Sequence, residues 1–205
     1  MLQSPSPNTT YDAIMALGIA ASQANDSAAA ISAFQEASAV QPAAALPQFM
    51  LGAEFAALGD VAQAESAFAS AVRLAPDFAL ARYQLGLLQF SSGRAAVALL
   101  TWQPLLTLEQ PDDPLPHFAK GFEALARDKF DDALAHFERG LPLNTTNAAL
   151  PGDIRKVIER INAIKSSHPL PATPEAQAAD QAPEAPAEAD AHFLLANYQQ
   201  KGLAH

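Results

Sequence analysis

Three ladders of residues recur at one interval along this chain, and they restrict its fold more than any other feature. Gly18, Gly52 and Gly86 stand 34 residues apart, and Gly121 follows 35 later. Phe34, Phe68, Trp102 and Phe137 keep the same spacing, as do Ala30, Ala64, Ala98 and Ala133. A fixed period of this length marks a stack of supersecondary units, each unable to bury its apolar face without its neighbours. The units are residues 11–44, 45–78, 79–112 and 114–147, with Asp113 as one inserted residue in a proline-bearing loop.

Each unit divides into two stretches of helical pattern. The breaks are Asn25-Asp26, Gly59-Asp60, Gly93-Arg94 and Asp128-Lys129, which are turn-forming pairs. Two helices joined so tightly lie antiparallel. The recurring glycine falls inside the first helix, where it costs about 1 kcal/mol relative to alanine. Its recurrence therefore predicts a close approach by a neighbouring helix, with alanine at the facing position. The large ring is expected to fill the wedge toward the next pair.

Leu51, Gly52, Phe55, Ala64, Phe68, Ala71 and Pro76 together resemble the tetratricopeptide repeat pattern. The first unit is similar through Leu17, Gly18, Ala30, Phe34, Ala37 and Pro42, with Leu17, Leu51 and Leu85 expected in the core. The third keeps Leu85, Gly86, Ala98 and Trp102 but carries Leu105 and Gln110 where a small residue and proline are usual. Pro104 is expected to kink its second helix. The fourth keeps Gly121, Phe130, Ala133 and Phe137 but has Lys120 and Thr145 at its leucine and proline positions. The resemblance implies an all-α, right-handed solenoid of four helix pairs plus a C-terminal capping helix.

Residues 1–10 precede the array as a flexible N-terminus. Capping falls to residues 148–168, where Ile154, Val157, Ile158, Ile161 and Ile164 recur at helical spacing opposite Arg155, Lys156, Glu159, Arg160 and Lys165. Residues 169–190 hold five prolines, eight alanines and five acidic residues, the composition of a disordered linker. Residues 191–205 regain Phe193, Leu194, Leu195 and Tyr198, which are expected to form a short docking helix, in this chain's own groove or on a partner.

The net charge is -10, and residues 1–72 contain six acidic residues with no Lys or Arg. Such a surface repels a phosphate backbone and anionic lipid alike, which argues against nucleic acid as a partner. No stretch is apolar enough for membrane insertion, and no basic leader is present, so a cytoplasmic location is expected. With no cysteine, thiolate chemistry is excluded. His117, His136, His168, His192 and His205 lack ligand spacing, and there is no glycine-rich phosphate loop. Neither enzymatic activity nor a cofactor or metal is expected. Asp112-Asp113 and Asp131-Asp132 read as solvated loop and helix-start acids, and Arg82 and His117 as a partly exposed edge.

In tetratricopeptide arrays the first helices line a concave surface, and the resemblance assigns that role to Met15, Ile19, Phe49, Tyr83, Leu87, Phe90, Phe118, Phe122 and Leu125. Leu46, Ala53, Ala56, Leu80 and Leu115 share the face. The Lys, Arg and Asn clamp that some members use for acidic peptide termini is absent here. The implied partner is a protein or peptide with an apolar or amphipathic segment. A scaffold or adapter, a chaperone shielding a client, and a structural or regulatory subunit all fit that face.

Overall fold

The computed structural model describes residues 7–108, 110–144 and 150–167, and every regular element among them is helical. The helices are α1 (Pro7–Gln23), α2 (Ser27–Val40), α3 (Ala45–Ala57), α4 (Val61–Leu74), α5 (Ala79–Ser91), α6 (Ala95–Leu106), α7 (Pro114–Leu125), α8 (Phe130–Gly140) and α9 (Leu150–Ser167), with one 3-10 turn at Leu141–Leu143. The linker and the C-terminal residues Phe193, Leu194, Leu195 and Tyr198 lie outside the described residues.

The four turns inside the pairs fall where the sequence breaks do, and their backbone explains the residue choice. Gly59 and Gly93 adopt φ of 77° and 78°, and Asn25 and Asp128 adopt 59° and 56°. Glycine enters this left-handed region without penalty, and Asn and Asp are the side chains that best tolerate it. Asp26 and Asp60 then cap α2 and α4, their carboxylates accepting from the backbone N–H of Ala29 and Gln63 at 3.0 Å each.

Two compact units divide the chain between Gln103 and Pro104. In the first, α1 packs on α2 and α3 on α4, while α2 covers α3 and α4 covers α5. In the second, α7 packs on α8 and α8 on α9, whose Leu150, Ile154, Val157 and Ile161 are buried. Pro104 stands in the last turn of α6, at the division itself.

The recurring glycine meets a ring rather than a helix backbone. A methyl group at Gly18, Gly52, Gly86 or Gly121 would come within 2.5 Å of Phe34, Phe68, Trp102 or Phe137 respectively. Each ring thus lies on the glycine of its own pair, and Phe34 and Phe68 also pack with Leu51 and Leu85 of the next pair, as their size suggests. Trp102 also donates its indole N–H to the Tyr83 carbonyl at 3.0 Å.

Leu51 and Leu85 are buried as expected, but Leu17 is 67% exposed. The reason is positional. Leu51 packs in a cluster with Ala30, Phe34 and Ala37, and Leu85 in one with Ala64 and Phe68, residues of the preceding second helix in each case. No described helix precedes α1 to cover Leu17 in that way.

A polar relay ties three helices of the first unit together. Arg94 grips Glu65 with two hydrogen bonds of 3.0 and 2.7 Å, Gln89 donates to Glu65 at 3.2 Å, and Thr101 donates to Gln89 at 2.7 Å. The Arg94 guanidinium holds the Glu65 carboxyl below its usual range. Ser22 similarly donates to the buried Glu54, linking α1 to α3.

Candidate protein-binding face

The nine residues assigned to the groove separate into two groups. Met15, Tyr83, Phe118 and Phe122 are buried, while Ile19 is exposed and Phe49, Leu87, Phe90 and Leu125 are half-buried. Met15 belongs to the cluster around Phe34. Tyr83 stacks on Trp102 with ring centroids 6.1 Å apart. Phe118 lies against Gly140, and Phe122 meets Phe137 edge-on at 5.0 Å. Phe49 contacts Phe68 and Phe78 at 5.7 and 5.0 Å, and Phe90 lies 5.9 Å from Trp102.

What solvent meets on the first helices of the first unit is therefore Ile19 on α1, Leu46, Ala53 and Ala56 on α3, and the open sides of Leu87 and Phe90 on α5. Residues 46, 49, 53 and 56 repeat at the three- and four-residue spacing of one helix face, and the same register holds residues 12, 15, 19 and 22 on α1 and 80, 83, 87 and 90 on α5. The surface is apolar, with Asp12 as its one charged member at these positions. It offers packing and exclusion of water, with little ionic contact.

In the second unit, His117 corrects the expectation of an exposed edge. Its ring is buried, with Nε2 3.2 Å from the Pro111 carbonyl and Nδ1 lacking a hydrogen-bond partner. His136 lies beside it, with ring centroids 6.3 Å apart. Reading the histidines by local spacing misses this pair. The signal lies in the helix pair itself: Arg82 reaches the Thr101 carbonyl and Trp102 the Tyr83 carbonyl across the same 19-residue separation that joins His117 to His136. Among the described residues no group of three or more His, Asp or Glu side chains could hold a metal ion.

Burial pushes the His136 imidazole below its usual value of 6.5, helped by His117, Lys120 and Arg139 and opposed by Asp132. A histidine whose folded-state value is depressed binds protons more readily once unfolded, so it contributes stability above pH 6.5 that is lost as pH falls toward the folded value. The thermal midpoint is expected to drop as pH falls below 6.5, and His136→Phe should flatten that slope. An identical slope in the variant would remove His136 as its source.

A shallow cleft of about 750 Å³ in the second unit is lined by Asp128, Lys129, Phe130, Asp131, Asp132, Ile164 and Lys165. Lys165 pairs with Asp131 inside it, so its central charges satisfy each other.

No family model and no curated protein matches the chain. Solved structures do. A thermophilic TPR protein of Thermus thermophilus is 21% identical with a TM-score of 0.56 over 77% of this chain and 82% of its own. MamA from residue 41 to the end, of Desulfovibrio magneticus RS-1, is 14% identical with a TM-score of 0.58 over 95% and 93%. PilF of Pseudomonas aeruginosa is 18% identical with a TM-score of 0.57 over 78% and 71%. The chain has the tetratricopeptide-type fold, an all-α array of consecutive helix pairs closed by a further helix. At these identities the likeness carries the fold alone.

Proposed function

We propose that this protein is a non-enzymatic scaffold or adapter that captures an apolar or amphipathic segment of another polypeptide on the first helices of its N-terminal unit. One observation carries the reading: Ile19, Ala53 and Leu87 hold one register position on α1, α3 and α5, with Leu46 and Ala56 on the same face of α3, and all present apolar surface to solvent, Leu87 in part. An apolar row of this kind, on rigid helices, suits a helix or extended segment that supplies its own apolar side chains. No described helix is long and apolar enough to cross a membrane, and the proposal places the encounter in the cytoplasm.

The test is affinity purification with mass spectrometry, comparing the native chain with Ile19→Ser, Leu46→Ser and Leu87→Ser combined. Central apolar contacts cost about 1 kcal/mol or more each when truncated, so the triple variant should weaken capture on the order of a hundredfold or more. Helical circular dichroism should stay unchanged. A stoichiometric partner retained by the variant would overturn the groove assignment. A single stable partner distinguishes an adapter from a chaperone, which would bring down a changing set of unfolded clients.

A further inference from the structure

We propose that the open flank of α1 docks a basic amphipathic helix of another protein, one whose apolar stripe is a ring set between two small residues. The flank is Ala13, Leu17, Ala20 and Ala24, all exposed, with Leu17 at 67%. Leu17 precedes Ile19 by two residues and so lies about 160° around the helix axis from it. The flank is therefore a second surface, and it does not depend on the groove reading.

The first unit shows what covers such a flank. Pro47 and Leu51 on α3, and Ala81 and Leu85 on α5, hold the positions of Ala13 and Leu17 and are buried. Leu51 clusters with Ala30, Phe34 and Ala37 of α2, and Leu85 with Ala64 and Phe68 of α4, where Ala71 is buried too. In both cases the cover is one helix that reads alanine, a ring four residues on, and alanine three residues after that. A helix with the same stripe would take Leu17 out of water in the same way.

Charge decides what kind of helix can do so. Where α4 covers α5, the residue after its first stripe alanine is Glu65, and Arg94, at the turn after α5, grips it with two hydrogen bonds of 3.0 and 2.7 Å. Where α2 covers α3, the same two positions are Ile31 and Asp60, so neither contact brings like charges together. At the turn after α1 the position of Arg94 belongs to Asp26, which is exposed and caps α2 through one carboxylate oxygen. The sign is reversed, and residues 1–72 hold no Lys or Arg to offset it. A covering helix with Lys or Arg where α4 has Glu65 would find its counter-ion in Asp26, whereas an acidic one would be repelled.

The probe is a labelled peptide of residues 60–74, this chain's own α4, stapled helical on its far face and made in two forms, unchanged and with Glu65→Lys. Binding to the full-length chain is read by fluorescence anisotropy. The Lys form should bind about fivefold more tightly than the Glu form, and the gap should shrink with salt. Asp26→Asn in the protein keeps an N-cap and should abolish that preference. Leu17→Asp should weaken the Lys form about tenfold or more. The combined Ile19→Ser, Leu46→Ser and Leu87→Ser variant should bind it as the native chain does. No binding of the Lys form, equal binding of the two forms, or indifference to Leu17→Asp would each overturn the proposal. Binding lost in the triple variant would overturn it by placing the peptide in the groove. A dimer in sedimentation that Leu17→Asp turns to monomer would overturn it in favour of a second copy.

Discussion

Trp102→Ala is expected to lower the free energy of unfolding by about 3 to 5 kcal/mol, near the upper end of what one core substitution does. The ring is fully buried and touches Gly86, Tyr83 and Phe90. Truncation removes the largest side chain of the first unit and takes away the donor that satisfies the Tyr83 carbonyl. The measurement is a denaturant titration followed by circular dichroism. Leu100→Ser, two residues away and 73% exposed, should change the unfolding free energy by no more than about 0.5 kcal/mol. Equal effects at the two positions would contradict the packing described for α6.

Gly52→Ala is expected to destabilise, against the ordinary preference of a helix. In an exposed helix interior the change gains about 1 kcal/mol. Here the added methyl would fall within 2.5 Å of the Phe68 ring, which is buried and has little room to withdraw. Overpacking a filled core costs about 1 to 3 kcal/mol, so the clash should outweigh the propensity gain. Combining Gly52→Ala with Phe68→Leu should recover part of the loss, because the smaller side chain vacates the space. A double-mutant cycle measures this directly, and strict additivity of the two changes would mean that the glycine and the ring do not share that space.

Much of the helix architecture is legible in the sequence because its signals are local. Asn25-Asp26 and Gly59-Asp60 supply both the left-handed turn and the following cap, so sequence alone places those breaks. The groove is legible only in part. At about 100° per residue, the helix position of Met15, Phe49 and Tyr83 points only about 60° from the recurring glycine, whereas that of Ile19, Ala53 and Leu87 points about 100° away. The first set consequently turns toward the second helix, and Met15 and Tyr83 are buried while Ile19 and Ala53 remain exposed. Register assigns a face but does not say how deep each edge of it sits. Leu17 is unreadable for a different reason: its residue type matches Leu51 and Leu85, and its exposure depends on what packs outside its own pair.

The principal helix packing in this fold joins elements adjacent in the chain: α1 with α2, α2 with α3, and onward within each unit. Contacts of such short sequence separation close small loops and form rapidly. Each pair can be completed soon after its second helix leaves the ribosome, without waiting for distant sequence. The exposed Leu17 of α1 is formed with the α1–α2 pair, which needs none of the helices from α4 onward. A nascent chain that has completed this pair therefore already presents Leu17 to its surroundings, and a protein that meets this face can do so before the later helices are made.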